Sequence, residues 1–133
     1  MLFRSPLKNT VKGITLDAVF EKFKLKNAVI KIDTEGAEAQ VIAGAKAVLA
    51  NQNPIIIMEF LTDKNKNEGH CQAFKMLTEA GFNAYFIEKN GDLSALKNIE
   101  MYFLNKKLES DNFVFMKNTQ INDNFMSNNL LQV

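Results

Sequence analysis

The stretch Ile30-Lys31-Ile32-Asp33-Thr34-Glu35-Gly36-Ala37-Glu38 decides how this chain is read. A short apolar run, Val29, Ile30 and Ile32, stops at a carboxylate, Asp33. Glu35 and Glu38 follow around Gly36, and a helical apolar pattern begins beyond them. This is the pattern of a buried strand that delivers acids to its C-terminal end, where a helix starts. In open α/β sheets ligands bind at that end.

Upstream, Thr15 reads as a helix N-cap with Asp17 in the first turn. Leu16, Val19, Phe20 and Phe23 give helical spacing over residues 16–24. Residues 28–33 then form the first strand, and its unbroken apolar run predicts burial on both faces, as in a parallel sheet. Downstream, residues 36–52 read as one helix with Val41, Ile42, Ala45, Val48 and Leu49 on one face. Gly44 lies inside it, where close packing against the sheet would explain a glycine. Asn53-Pro54 ends that helix.

Residues 54–60 form a second buried strand that also ends in an acid, Glu59. The run Asp63-Lys64-Asn65-Lys66-Asn67-Glu68 reads as a solvated loop at the same end of the sheet. A helix follows to Ala80, with Ala73, Phe74, Leu77 and Ala80 inward and Gly81 as its stop. Residues 83–88 form a third strand, and Asn90-Gly91 marks a turn. Residues 92–110 are open: Met101 to Leu104 fit a short strand or a helical turn. Residues 112–117 form the last strand, with Phe113 and Phe115 on one face and Val114 and Met116 on the other. The alternation predicts an α/β fold, mostly parallel, with an antiparallel closing strand.

The 133 residues fit one domain, since domains run to about 100–200 residues. Apolar residues are 47% and charged residues 23%, a globular composition. A net charge of +1 gives no electrostatic grip on nucleic acid or an anionic membrane, so neither is an expected partner. One cysteine, Cys71, excludes an intrachain disulfide and suits a cytoplasmic location. No secretory h-region and no membrane-length apolar run occur. Residues 1–13 read as an irregular lead-in. The tail 119–133 reads as flexible: five asparagines fall from Asn118 to the end.

The motif Ile-Lys-Ile-Asp-Thr-Glu-Gly-Ala-Glu at 30–38, then Val-Ile-Ala-Gly-Ala at 41–45 and Pro-Ile-Ile-Ile-Met-Glu at 54–59, resembles the FkbM family of S-adenosylmethionine-dependent methyltransferases. Ile14-Thr15-Leu16-Asp17, Leu77 to Phe82 and Asn112 to Phe115 extend the resemblance over roughly residues 12–118. It implies the Rossmann-like class I methyltransferase fold, with 28–33 as its fourth strand, 54–60 as its fifth and 83–88 and 112–117 as the final pair. On this reading residues 14–118 are the C-terminal half of the domain. The first three strands and the glycine-rich cofactor loop are then missing. No G-x-G occurs anywhere in the sequence.

The resemblance implies O-methylation of a sugar or natural-product hydroxyl, with S-adenosylmethionine as cofactor and a small hydroxyl compound as acceptor. Methyl transfer needs positioning of a nucleophile and help in losing its proton. Asp33 and Glu35 are the candidate catalytic acids, Asp33 and Gly36 the candidate cofactor contacts, and Glu38 and Glu59 the candidate substrate contacts. The bland alternative for Glu35 and Glu38 is a favourable interaction with a helix N-terminus, about 0.3–1 kcal/mol each. His70 and Cys71 lack neighbours of metal-ligand or triad spacing and read as structural, so no metal is expected. The chain alone is expected to be inactive. The alternative is a non-catalytic remnant, which pairs with a missing N-terminal half or with itself through the strand at 28–33, whose free edge is a template for another strand.

Overall fold

The computed structural model describes residues 12–118. Its elements run α1 (Leu16–Phe23), β1 (Val29–Ile32), α2 (Glu38–Ala43), α3 (Lys46–Asn51), β2 (Ile55–Leu61), α4 (Glu68–Glu79), β3 (Asn83–Ile87), β4 (Leu93–Ala95), α5 (Ile99–Lys106) and β5 (Ser110–Met116). The lead-in to residue 11 and the tail from residue 119 lie outside the described residues.

Local chemistry accounts for most of these boundaries. The Thr15 side chain accepts the Ala18 amide at 3.2 Å and starts α1. Asn98 does the same for α5, accepting the Met101 amide at 2.8 Å. Gly81, at φ +87°, stops the chain from continuing α4. Gly91, at φ +90°, lies in the turn that joins β3 to β4.

The five strands form one mixed sheet in the order β1-β2-β5-β3-β4. β1 and β2 are parallel; β5 is antiparallel to both β2 and β3, and β4 is antiparallel to β3. β1, β2 and β3 therefore run in one direction and the closing strand β5 opposes them, as the sequence pattern predicts; β4, in the segment left open, also runs opposite. One hydrogen-bonded pair is parallel and three are antiparallel, because the last strand inserts between β2 and β3. The ambiguous segment 92–110 resolves into β4 and α5, with Met101 to Leu104 helical.

The core lies between one sheet face and the helices. Ile32, Ile56, Met58, Phe113 and Phe115 project from that face onto Ile42, Ala45, Leu49, Ala73 and Leu77 of the helical layer. Each fully buried side chain of this size contributes about 1.5–3 kcal/mol. An aromatic cluster continues the core toward the C-terminal end of β2. The Phe60 ring lies 6.0 Å from Phe103, 6.2 Å from Phe74 and 6.4 Å from Phe113.

Two expectations fail around the first crossover. Residues 36–52 are two helices, broken at Gly44-Ala45. A Cβ on Gly44 would sit 3.3 Å from Thr15 Cβ, so the glycine accommodates the start of α1 and not the sheet. Asp17 explains why the chain can break there. Its carboxylate accepts the Ala47 amide at 3.0 Å and the Val48 amide at 2.9 Å, capping α3 from another helix. Nor is β1 buried on both faces. It forms one edge of the sheet among the described residues, and Val29 is 63% exposed.

Candidate functional site

Strand alternation and register place the acids. Ile30 and Ile32 pair with Ile56 and Met58 on the helix-covered face, so Lys31 lies with Ile57 on the opposite face. One step beyond the last pairing, Ile32 with Met58, stand Asp33 and Glu59. By this register the two acids occupy neighbouring positions on that opposite face, Asp33 just past the end of β1 and Glu59 two residues before the end of β2 at Leu61. Lys31 donates to Asp33 Oδ2 at 3.2 Å, and both side chains are about half exposed. On the far side Glu59 faces Asn112 of β5, whose side-chain oxygen is buried without a partner among the described residues.

Glu35 and Gly36 turn the chain. Glu35 is held in the left-handed region at φ 53° and Gly36 at φ 106°. A helix cannot pass through two such residues, so α2 starts only at Glu38 and the expected helix from residue 36 is shortened. The left-handed conformation at a non-glycine residue costs about 1–2 kcal/mol. It persists where surrounding contacts impose it, and such positions cluster at functional sites. Here it keeps the Glu35 carboxylate exposed, and Glu35 and Glu38 do not share a helix face.

Glu38 supplies the imposing contact. It is buried, with 1% of its surface exposed. Its Oε1 accepts from the Thr34 amide at 3.1 Å, the Thr34 hydroxyl at 3.0 Å and the Gly36 amide at 3.2 Å. Burial pushes the Glu38 carboxyl up, but its own amide and these donors outweigh it and hold the pKa below the ordinary value of 4.5. Oε1 is thus committed three times, while Oε2 is buried without a hydrogen-bond partner among the described residues. Glu38 holds the loop that carries Asp33 and Glu35.

Sequence reasoning missed the second half of that support. His70, also 1% exposed, places Nε2 3.6 Å from Glu38 Oε1. Next to it, Gly69 lets α4 approach so closely that a Cβ there would lie 2.3 Å from the Gly36 carbonyl oxygen. Gly36 thus turns the chain and also receives α4. The signal was in the spacing: His70 stands three, four and seven residues before Ala73, Phe74 and Leu77, on the inward face. Glu38 likewise precedes buried Ile42 by four. Cys71, one residue on, is exposed. Among the described residues no three His, Cys, Asp or Glu side chains gather as a metal site.

These features define an α/β protein whose acids collect at the C-terminal end of a parallel strand pair, the position at which open sheets take ligands. Residues 8–108 match the family model of the methyltransferase FkbM domain, and the chain belongs to that family. No curated protein and no solved structure matches it.

Proposed function

We propose that this chain supplies the acidic side of an S-adenosylmethionine-dependent O-methyl transfer site. The observation that carries this reading is the position of Asp33, one step past the last β1–β2 pairing and so next to Glu59, beside the constrained Glu35 loop, in a chain of the FkbM methyltransferase family. The carboxylates fit the cofactor's cationic and hydroxyl groups. Bound there, the cofactor would supply an electrophilic methyl group. Asp33 would orient the acceptor hydroxyl of a sugar or natural product and take its proton as the O–C bond forms and the cofactor's sulfonium S–CH3 bond breaks, the neutral thioether being the leaving group. Glu59 would contact the acceptor, and the Gly36 turn would let the backbone approach the ligand.

The remaining cofactor contacts would come from across β1. On this reading β1 and β2 are the fourth and fifth strands of a class I methyltransferase sheet, β3 and β5 its final pair, and a further strand lies beside β1. The edge of β1, unpaired among the described residues and carrying exposed Val29, supports this. That strand would belong to an N-terminal half or to a second copy. A cytoplasmic location fits the single, exposed cysteine, and no described helix is long and apolar enough to cross a membrane.

Amide shifts on addition of S-adenosylmethionine test the acid loop. Weak binding, with Kd about 1 mM, should move the Asp33 to Gly36 signals, and Asp33→Asn should remove the effect. Unmoved signals would overturn the placement of the cofactor. Micromolar, one-to-one binding by a monomer would overturn the claim that contacts are missing. Sedimentation tests the edge: the chain should self-associate at about tens of micromolar, and Val29→Lys should suppress this by charging an exposed edge position.

A further inference from the structure

A second site opens on the other face of the sheet. The side chains of Glu59 and Phe60 diverge, and Phe60 turns into a cleft of about 610 Å³ between α4, α5 and the 62–67 loop. That volume falls within the roughly 300–1,000 Å³ typical of small-molecule sites. Phe60 and Phe103, with rings 6.0 Å apart, form its apolar base with Ile99. Leu104 and Leu108 stand at its mouth, and Leu104 is 70% exposed.

The rim is asymmetric in charge. Lys64 and Lys107 border the cleft, and neither has an ion-pair partner among the described residues. Their neighbours are engaged elsewhere. Lys66 pairs with Asp63 at 3.9 Å, and Lys106 lies 5.7 Å and 5.9 Å over the Phe86 and Tyr102 rings. Lys107 closes α5 in the left-handed conformation, φ 55°, a position that glycine fills more easily. Asn67 adds a side-chain amide that caps nothing, although it precedes α4. The one acid of the lining, Glu100, lies beside Cys71; burial first, then the Glu100 charge, raises that thiol's pKa.

We propose that this cleft binds a small amphipathic anion, a flat or short aliphatic body carrying a carboxylate, sulfonate or phosphate. The apolar body lies on Phe60, Phe103 and Leu104, and the anionic group is held by Lys64, Lys107 and the Asn67 amide. Three donors without an acceptor among the described residues, against the single acid Glu100, at the mouth of a pocket with an apolar base, complement that chemistry and disfavour a cation. The site stands apart from methyl transfer: it lies on the helix-covered face, and its test uses neither the cofactor nor the acids at 33–59.

The test compares three probes of equal shape with the full chain by amide chemical-shift titration: 2-naphthoate, 2-naphthalenemethanol and 2-naphthylmethylammonium. Naphthoate should bind most tightly and the ammonium least, with saturable shifts at Thr62, Asn67, Ile99 and Leu104. Lys64→Met with Lys107→Met should weaken naphthoate about tenfold and leave the alcohol unchanged. Leu104→Glu, at an exposed position, should abolish binding of naphthoate while the remaining spectrum stays folded. Equal binding of all three probes overturns the anionic assignment. Shifts confined to other residues, or none at millimolar probe, overturn the site. Concentration-dependent shifts of the same amides without probe also overturn it, because the cleft would then be a contact between copies.

Discussion

Glu59 and Phe60 are adjacent in sequence yet serve regions built on opposite principles. The acid loop that neighbours Glu59 is held from the helical layer by one buried carboxylate that collects three donors, with His70 between it and the Phe60 ring. On the Phe60 face, the cleft rests on a cluster of rings, each touching several others. A polar support concentrates its energy in one group, and removing that group leaves every partner unsatisfied. An apolar support spreads its energy and tolerates the loss of one contact. The difference teaches where this molecule is brittle: at the acid loop, beneath the candidate chemistry.

The hardest blow to this contrast is Glu38→Ala. It strands the Thr34 and Gly36 donors and removes the partner of His70, and urea unfolding should show a loss of about 3–5 kcal/mol. A loss under about 1 kcal/mol would erase the distinction between the two regions. Gly69→Ala attacks the same support by crowding, since the added Cβ meets the Gly36 carbonyl oxygen at 2.3 Å. A destabilisation of about 1–3 kcal/mol is expected in the same measurement.

Acid sharpens the comparison. The folded Glu38 carboxyl titrates below its ordinary 4.5, so its contribution is fully present above that value and is lost as pH falls through the lower folded pKa. Thermal unfolding between about pH 6 and pH 3 should show this decline, and Glu38→Gln should flatten it. On the apolar side, Phe103→Leu keeps most of its volume and should cost only about 1 kcal/mol in urea unfolding. A larger loss would mean that the ring cluster is as brittle as the acid loop. The smallest effect belongs to Asp33→Asn. It removes an exposed pair with Lys31 and should change stability by less than about 0.5 kcal/mol, while abolishing the cofactor-dependent shifts at the loop.

Much of this was legible in the residues. The strand end before Asp33, the Thr15 cap, the Gly81 stop and the alternation of Phe113 with Val114 follow from local rules that act within a few positions; β2 runs past Glu59 to Leu61 because β5 pairs with it there. The strand order did not, because insertion of β5 between β2 and β3 is a pairing choice between distant segments. The two-helix form of 36–52 was hidden for a related reason. Its break depends on Asp17, thirty residues upstream of Ala47. At the candidate site, residue types named the acids but not their fates. Whether an acid in a Glu-Gly-x-Glu stretch faces solvent or the core depends on φ at Glu35 and on how closely α4 approaches, and neither is a local property.

The Asp17 contact also sets a limit on trimming. The carboxylate that closes α3 arrives on α1, so the smallest autonomous piece of this chain must begin upstream of Asp17. A fragment started at β1 would keep all five described strands and still open two amide donors at the head of a helix that it retains.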